Sequence, residues 1–583
     1  MKRYAVIIVI LLTAIFSLHA ERDQRVRDYI SPQRIVWTSC PEQIRNPENL
    51  LREGNGQADL TNSHICVLKS TQTEHPAILL DFGRELHGGL QVVTGMPTDH
   101  SPVRIRVRFG ESASEAMCEI DGRNGATNDH AVRDFELTLP WLGVREIGNS
   151  GFRFVRIDLL DDNAELHLKE VRAVSVYRDL PYRGSFRCSD SRLNDIWQTG
   201  AYTVHLCMQD YIWDGIKRDR LVWMGDMHPE VMTIGHVFGY TDIVPASLDL
   251  SRDITPLPNW MSGMYTYSLW WVIVQRDWFR FSGDAAYLER QRAYLTGLLD
   301  LLLTKVDGNG FETSGGGFLD WPSNANVPAM RAGTQALMMM TIEAGAELCR
   351  YLGENEMAGR CEECHERMLK AAPAVCERYY GESQAPGEPG SKQGTALMVL
   401  AGMTDAVRAN EDVLKAEGAR GFSTFYGYYL LQAMARAGDY EGSMDMIRTF
   451  WGAMLDLGAT SFWEDFNIDW LKEDVAPVDE LVPQGKKDIH GDFGAYCYKG
   501  FRHSLCHGWA SGPTAWLSAH VLGVEIVEAG CKVLKIEPHL GSLEWAEGTF
   551  PTPYGDVKIS HRKNTQGKVI TRVDAPKGVR ILR

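Results

Sequence analysis

Basic charge is what this sequence has least of. Lys and Arg number 60 against 76 Asp and Glu, a net charge of −16. A surface so poor in cations cannot neutralise a phosphate backbone, which excludes nucleic acid as a partner. Cysteine is thin and irregular: 12 are scattered along 583 residues, without the spacing of a disulfide scaffold, which a chain this long does not need. One haem-like spacing exists, Cys361-Glu-Glu-Cys364-His365. It lies in a charged stretch of helical periodicity and is read as a helix with incidental cysteines. Metal signatures are absent: there is no His-Glu-x-x-His, no zinc-type Cys/His spacing and no Ca²⁺ loop of alternating acids. A Gly-x-Ser-x-Gly elbow and a phosphate-cradling glycine loop after a strand are missing too. These absences point to a chain that needs no cofactor and no metal.

What is present begins with an N-terminus built like an export signal. Lys2 and Arg3 precede an apolar run from Ala5 to Leu12, and small Ala20 stands before Glu21-Arg22-Asp23. The stretch from Tyr4 to Leu18 falls short of the roughly 20 apolar residues a bilayer needs, so residues 1–20 read as a cleaved signal peptide. The expected location is periplasmic or secreted, with no stable membrane insertion after signal removal.

Periodicity divides the remainder into three. Over residues 21–180, runs such as "AILLDFG", "VRIRVRFGE" and "FRFVRIDLL" alternate or run apolar between Gly, Pro and Asp turns, which predicts an N-terminal β-sandwich region. Over 181–523 about a dozen amphipathic runs enter through Ser, Thr or Asp and often end in Gly, which predicts helices. Without a fixed short period they fit an α/α toroid better than a solenoid. Over 524–583 strand patterns return and predict a small C-terminal β-domain.

Four acid and aromatic clusters fall at helix boundaries of the central segment. The first, "DGIKRDRLVWMGD", sets Asp214, Asp219 and Asp226 among Lys217, Arg218, Arg220 and Trp223, just after Tyr211 and Trp213. The second is "GGGFLDWPSN", with Asp320 beside Trp321; the third is "GATSFWEDF", where Glu464 follows Phe462 and Trp463. The fourth, "FRHSLCHGWASGP", supplies His503, His507 and Trp509. A pyranose stacks its C–H face on an indole while carboxylates and Arg take its hydroxyls, so the clusters together suggest a sugar cleft. Glycoside hydrolysis needs two carboxyls flanking the anomeric carbon, and a toroid brings distant loops to one rim.

As an ordered set, "DGIKRDRLVWMGD", "FLDWPS", "GATSFWEDF" and "SLCHGW" resemble the α-L-rhamnosidases of glycoside hydrolase family 78. "DFGRELHGGL", "VRFGESASEAM" and "GFRFVRI" resemble the β-domain ahead of their catalytic barrel, and the segment from "GVEIVEAG" to "GDVKIS" resembles their C-terminal β-domain. The resemblance implies an (α/α)6 toroid and hydrolysis with inversion. It places the proton donor on Asp219 and the water-activating base on Glu464. Asp214, Trp223, Asp226, Trp321 and His507 match sugar-contacting positions; Arg218 and Asp320 lie beside them and join the expected subsite. One departure stands out: many members carry an Asp-Glu pair before the Arg, whereas this loop is one residue shorter and offers only Asp219.

The expectation is therefore an exported, exo-acting glycosidase removing terminal L-rhamnose from a polysaccharide or glycoside. Another terminal sugar on the same barrel, such as L-fucose or a uronic acid, stays open. So does a lyase drafting Tyr211, His507 and Arg218, and so does a non-catalytic glycan-binding protein. Two electrostatic expectations accompany this reading. Asp214 or Asp226 couples to Asp219, and at least one of the loop's three cations is turned away into a structural ion pair.

Overall fold

The structure is a computed structural model that describes residues 23–120, 125–379 and 388–583; the expected signal peptide lies outside them. Among the described residues, no helix is long and apolar enough to cross a membrane.

In the N-terminal β-region nine strands are hydrogen-bonded into one continuous sheet. Its long strands serve both layers. Ala77–Thr94 pairs with Val144–Leu159 along most of its length, with the register shifting between Asp81 and Leu86. On its other edge the first half pairs with Arg34–Thr38 and the second half with Glu165–Arg178. Ile78 and Leu80 before the shift, and Leu90 and Val92 after it, are all buried in a single apolar core with Ile105, Val107, Val155 and Ile157.

The central region is an (α/α)6 toroid. Helices buried over most of their surface alternate with helices that bury only a stripe. The buried set is Met227–Val237, Tyr265–Ser282, Val327–Leu352, Ser391–Leu400, Gly427–Arg436 and Gly512–Trp516. Their outer partners include Ser191–Cys207, Ala285–Leu303 and Tyr440–Asp456. The local signals are those of stable helix ends. The side chains of Asp190, Asp284, Asn326 and Asp439 accept backbone N–H groups of the following first turns. Gly283 and Gly353 end helices in the left-handed region, at φ 63° and 74°. The last inner helix packs on both Ser191–Cys207 and Met227–Val237, which closes the ring. Cys361 and Cys364 are buried in the helix Asn355–Tyr379, packed into the barrel core.

At the C-terminus, Val524–Glu528, Val533–Ile536 and Arg580–Leu582 form one sheet, and Trp545–Thr552, Gly555–Lys563 and Val569–Asp574 belong to another. The latter takes a fourth strand from far upstream. Ser185–Cys188, in the segment that the sequence assigned to the barrel, pairs antiparallel with Trp545–Thr552. Phe550, Val557 and Ile559 lie in the same apolar core as the toroid helices, so barrel and C-terminal sheet share one interior.

Candidate active site

The loop from Asp214 to Asp226 joins the first outer helix to the first inner one, and it is pinched at both ends. Asp214 N–H donates to Leu221 O (3.0 Å), Leu221 N–H donates back to Asp214 Oδ1 (2.9 Å), and Gly508 N–H donates to Asp214 O (2.8 Å). A Cβ at Gly508 would fall 1.6 Å from Glu230 Oε1, so a larger residue there would have to displace that buried side chain. Within the pinch, Asp219 and Arg220 both adopt left-handed backbone, at φ 55° and 58°. Consecutive non-glycine residues in that region are costly and persist where surrounding contacts enforce them. Here Arg220 supplies those contacts: its Nε donates to Ile216 O (3.0 Å) and its Nη2 to Asn149 O (2.7 Å).

The loop opens onto a cavity of about 280 Å³ at the N-terminal ends of the inner helices. Asp214, Arg218, Asp219, Trp223, Asp226, Trp321, Glu464 and His507 all line it, so eight of the expected site residues meet in one place. Asp320 does not. It is buried behind Trp321, where Oδ1 accepts Ser323 N–H and Oδ2 accepts the Ser423 hydroxyl. It therefore caps the short helix that carries Trp321, and its expected sugar contact is corrected to a structural role. Tyr211, Trp213 and Trp463 are also outside the lining. Trp213 lies under the Arg220 guanidinium, 5.6 Å away, and Trp463 packs edge-on against Phe466.

Arg218 organises the cavity. Its Nη1 pairs with Asp219 Oδ1 at 2.8 Å, its Nη2 pairs with Glu464 Oε1, and its plane lies 5.3 Å from the Tyr498 ring. The two carboxylates thus sit at opposite ends of one guanidinium. Burial works against the Arg218 charge, but Glu464 and Asp219 outweigh it and raise its pKa. Asp219 Oδ2 accepts Trp223 Nε1–H (3.2 Å), and His130 Nδ1 from the N-terminal domain lies 3.5 Å from Oδ1. Glu464 Oε2 accepts Ser504 N–H (3.0 Å), while its backbone carbonyl accepts Trp509 Nε1–H and the Thr424 hydroxyl. Asp226 accepts the Tyr267 hydroxyl (2.9 Å) and faces His507 Nε2 (3.2 Å), whose Nδ1 lies 3.7 Å from Glu464.

Carboxyl protonation in this crowd follows burial. Asp214 is raised well above the ordinary carboxylate range by desolvation, then by repulsion from Asp226 and Asp219. Asp226 is raised by desolvation as well, held back by its bonds to His507 and Tyr267. Asp465, next to the base candidate, is pushed up to about 7 by burial. His503 is driven well below the ordinary imidazole value by burial, and its Nε2 accepts Asp465 N–H (2.9 Å), so it is a neutral structural residue.

The other two loop cations are turned away. Lys217 is buried against Glu111 (3.0 Å) and Glu115 (3.2 Å) of the N-terminal domain and donates to the carbonyls of Phe501 and His503. Glu111, Glu115 and His490 present ligand atoms within 4.8 Å of one another, a spacing that could hold a cation. The Lys217 ammonium is the charge between the two glutamates. Arg220 is brought down to about 10 by burial and bonds backbone carbonyls.

Several lining residues escaped the sequence reading. Tyr267 and Phe318 flank Trp223 and Trp321, and Tyr498 accepts Trp321 Nε1–H at 2.7 Å. Tyr267 lies in the first turn of an inner helix, a position that an acid-bearing barrel rim makes conspicuous. Tyr498 lies in an irregular loop, where neither periodicity nor an adjacent acid marks it.

A toroid of six helical hairpins with paired carboxylates and aromatics at one rim is the architecture of a six-hairpin glycosidase. Residues 181–521 match the model of the bacterial alpha-L-rhamnosidase 6 hairpin glycosidase domain, and residues 523–582 match that of the bacterial alpha-L-rhamnosidase C-terminal domain. The chain belongs to the bacterial alpha-L-rhamnosidase family. It is 23% identical over 577 residues to an alpha-L-rhamnosidase of Alteromonas sp. (strain LOR), covering 91% of this chain and 58% of that one. An alpha-L-rhamnosidase of Formosa agariphila is 20% identical over 537 residues, covering 85% of this chain and 54% of that one. The chain thus spans little more than half the length of these curated relatives. Among solved structures, the GH78 family rhamnosidase of Bacillus sp. GL1 superposes with a TM-score of 0.73 at 22% identity, over 92% of this chain and 55% of that one. A rhamnosidase from Klebsiella oxytoca with rhamnose bound gives 0.65 at 20% identity, over 85% of this chain and 96% of that one.

Proposed function

We propose that the protein is an exported, exo-acting glycoside hydrolase that removes terminal α-L-rhamnose with inversion. Glu464 activates the attacking water, and a carboxyl of the 214–226 loop protonates the leaving oxygen, with Asp219 the position that the family motif matches. The observation that carries this reading is the gathering of Asp214, Asp219, Asp226 and Glu464 around Arg218 in a cavity walled by Trp223, Trp321 and Trp509. Family membership and the rhamnose-bound likeness of the Klebsiella oxytoca enzyme support L-rhamnose as the sugar.

The size of the cavity supports exo action. At about 280 Å³ it falls below the roughly 300–1,000 Å³ typical of pockets for larger ligands and suits one terminal ring. Lyase chemistry and a uronate fit less well. Arg218 is the one Arg or Lys among the described lining residues and is already neutralised by two carboxylates, while Tyr211 is not in the lining. Export rests on the Lys2-Arg3, apolar and Ala20 pattern.

Nitrophenyl α-L-rhamnoside, α-L-fucoside and uronide substrates, with the product anomer followed by NMR, test the reading. Turnover of the rhamnoside with β-L-rhamnose appearing first is expected. First appearance of the α anomer sinks the inverting mechanism, and turnover of the fucoside or uronide alone sinks the sugar assignment.

A further inference from the structure

We propose that Asp214, rather than Asp219, delivers the proton to the leaving oxygen, and that Asp219 serves to hold Arg218 in place beside Glu464. This rests on the hydrolase reading above and deepens it by reassigning the acid.

The first support is hydrogen-bond geometry at Asp219. Both of its carboxyl oxygens are already acceptors, Oδ1 from Arg218 and Oδ2 from Trp223 Nε1–H, and His130 stands 3.5 Å from Oδ1. Both oxygens are thereby turned to protein donors, which points the Asp219 carboxyl at Arg218 and Trp223. Its left-handed backbone is held by the Arg220 anchors.

Asp214 presents the opposite arrangement. It lines the same cavity at 3% exposure, and Oδ1 takes one hydrogen bond, from Leu221 N–H. Among the described residues no Lys, Arg or His forms an ion pair with it, which leaves Oδ2 as the site of a proton facing the sugar. The charged groups around it explain why the proton stays. Asp226, Asp219 and Glu464 repel a charge on Asp214, and Glu230 behind Gly508 is coupled to it as well. The two groups that could compensate are engaged elsewhere: Arg218 by Asp219 and Glu464, and His507 by Asp226. Burial adds to this repulsion, so the carboxyl stays protonated well above the ordinary range. Reciprocal bonds with Leu221 and the bond from Gly508 fix the stem of the residue, which satisfies the positional demand on a general acid.

The step balances. The Asp214 Oδ2 proton passes to the glycosidic oxygen as the C1–O bond breaks and its electron pair leaves with that oxygen. A water oxygen bonds C1 from the opposite face and gives a proton to Glu464. Glu464 then releases that proton to solvent and Asp214 regains one from it.

Leaving-group dependence tests the assignment, because a good leaving group needs no proton. With Asp214→Asn, which keeps the Oδ1 acceptor for Leu221, kcat on methyl or disaccharide α-L-rhamnosides is expected to fall about 10²–10⁴-fold. On a dinitrophenyl rhamnoside the fall should be about tenfold or less, and the basic limb of the kcat/KM profile should vanish. Asp219→Asn should lower both substrate types alike and keep the basic limb, so this variant decides the question even if Asp214→Asn does not fold. Leaving-group-selective loss in Asp219→Asn, or loss of its basic limb, overturns the proposal. Equal loss on both substrates in a folded, rhamnose-binding Asp214→Asn overturns it too. A wild-type protein inactive on every rhamnoside defeats the hydrolase reading itself, and the assignment with it.

Discussion

Two clusters of acids meet in the loop between Asp214 and Asp226, and they differ in how closely a cation is held among them. Glu111 and Glu115 share the buried ammonium of Lys217, whose protons also go to the Phe501 and His503 carbonyls, and with one cation for two carboxylates burial pushes Glu111 up to about 7. On the cavity side, Asp214, Asp219, Asp226 and Glu464 have one guanidinium and the imidazoles of His130 and His507 among them, and Asp214 pairs with none of these. Buried charge that is matched secures structure, because removing either partner strands the other in a medium that solvates it poorly. Buried charge left short of counterions stores a proton instead. Sequence adjacency does not distinguish these uses, since Lys217 and Arg218 are neighbours and belong to different clusters.

The largest separation between the clusters should come from Glu464→Gln. Loss of a general base is expected to lower kcat by about 10²–10⁴-fold while the melting temperature and rhamnose binding, followed by calorimetry, stay near those of the wild type. Unfolding instead of inactivity would place Glu464 with the structural acids. Lys217→Met should do the converse. Stranding two buried carboxylates costs on the order of 3–5 kcal/mol, read as a lower denaturation midpoint, and adding Glu111→Gln and Glu115→Gln should recover much of it.

A smaller effect should appear at Asp465, which lies beside the base without a cation. Its folded pKa of about 7 stands above the ordinary 3.8, so the folded state binds the proton more tightly than the unfolded chain does. The associated stability is present in full below about pH 4 and is lost as pH rises through about 7. Asp465→Asn removes that loss. The melting temperature of the variant should gain on the wild type between pH 5 and pH 8, and a constant difference would show that Asp465 titrates normally. The smallest expected effect is none: exhaustive chelation should leave kcat and melting temperature unchanged, since Lys217 supplies the positive charge between Glu111 and Glu115. Activity restored only by an added divalent ion would break that assignment.

The helical toroid was legible because its helices carry start and stop residues beside apolar stripes. The N-terminal β-region was legible as strands. That its layers are one sheet depends on Ala77–Thr94 pairing on both edges, which alternation along a strand does not encode. At the site, an acid beside a tryptophan at a helix boundary located most of the lining. The same signature misled at Asp320, because a helix cap next to Trp321 reads like a sugar contact. Lys217 showed the reverse problem: its partners lie about a hundred residues upstream, in the bend and short helix Ala113–Met117 that follow the strand Val103–Gly110, where the sequence pattern gives no reason to look.

The strand Ser185–Cys188 also bears on how the molecule is made. It is synthesised ahead of the whole barrel, yet its partner strand begins at Trp545, and Ser185 sits opposite Thr549, 364 residues later. Until that segment emerges, the strand has an open edge and the last inner helix lacks the sheet that shares its core. Contacts of such long range close late and slowly. The growing chain therefore spends most of its synthesis as an open arc of hairpins, and the cavity takes its final shape only when nearly all of the polypeptide is available.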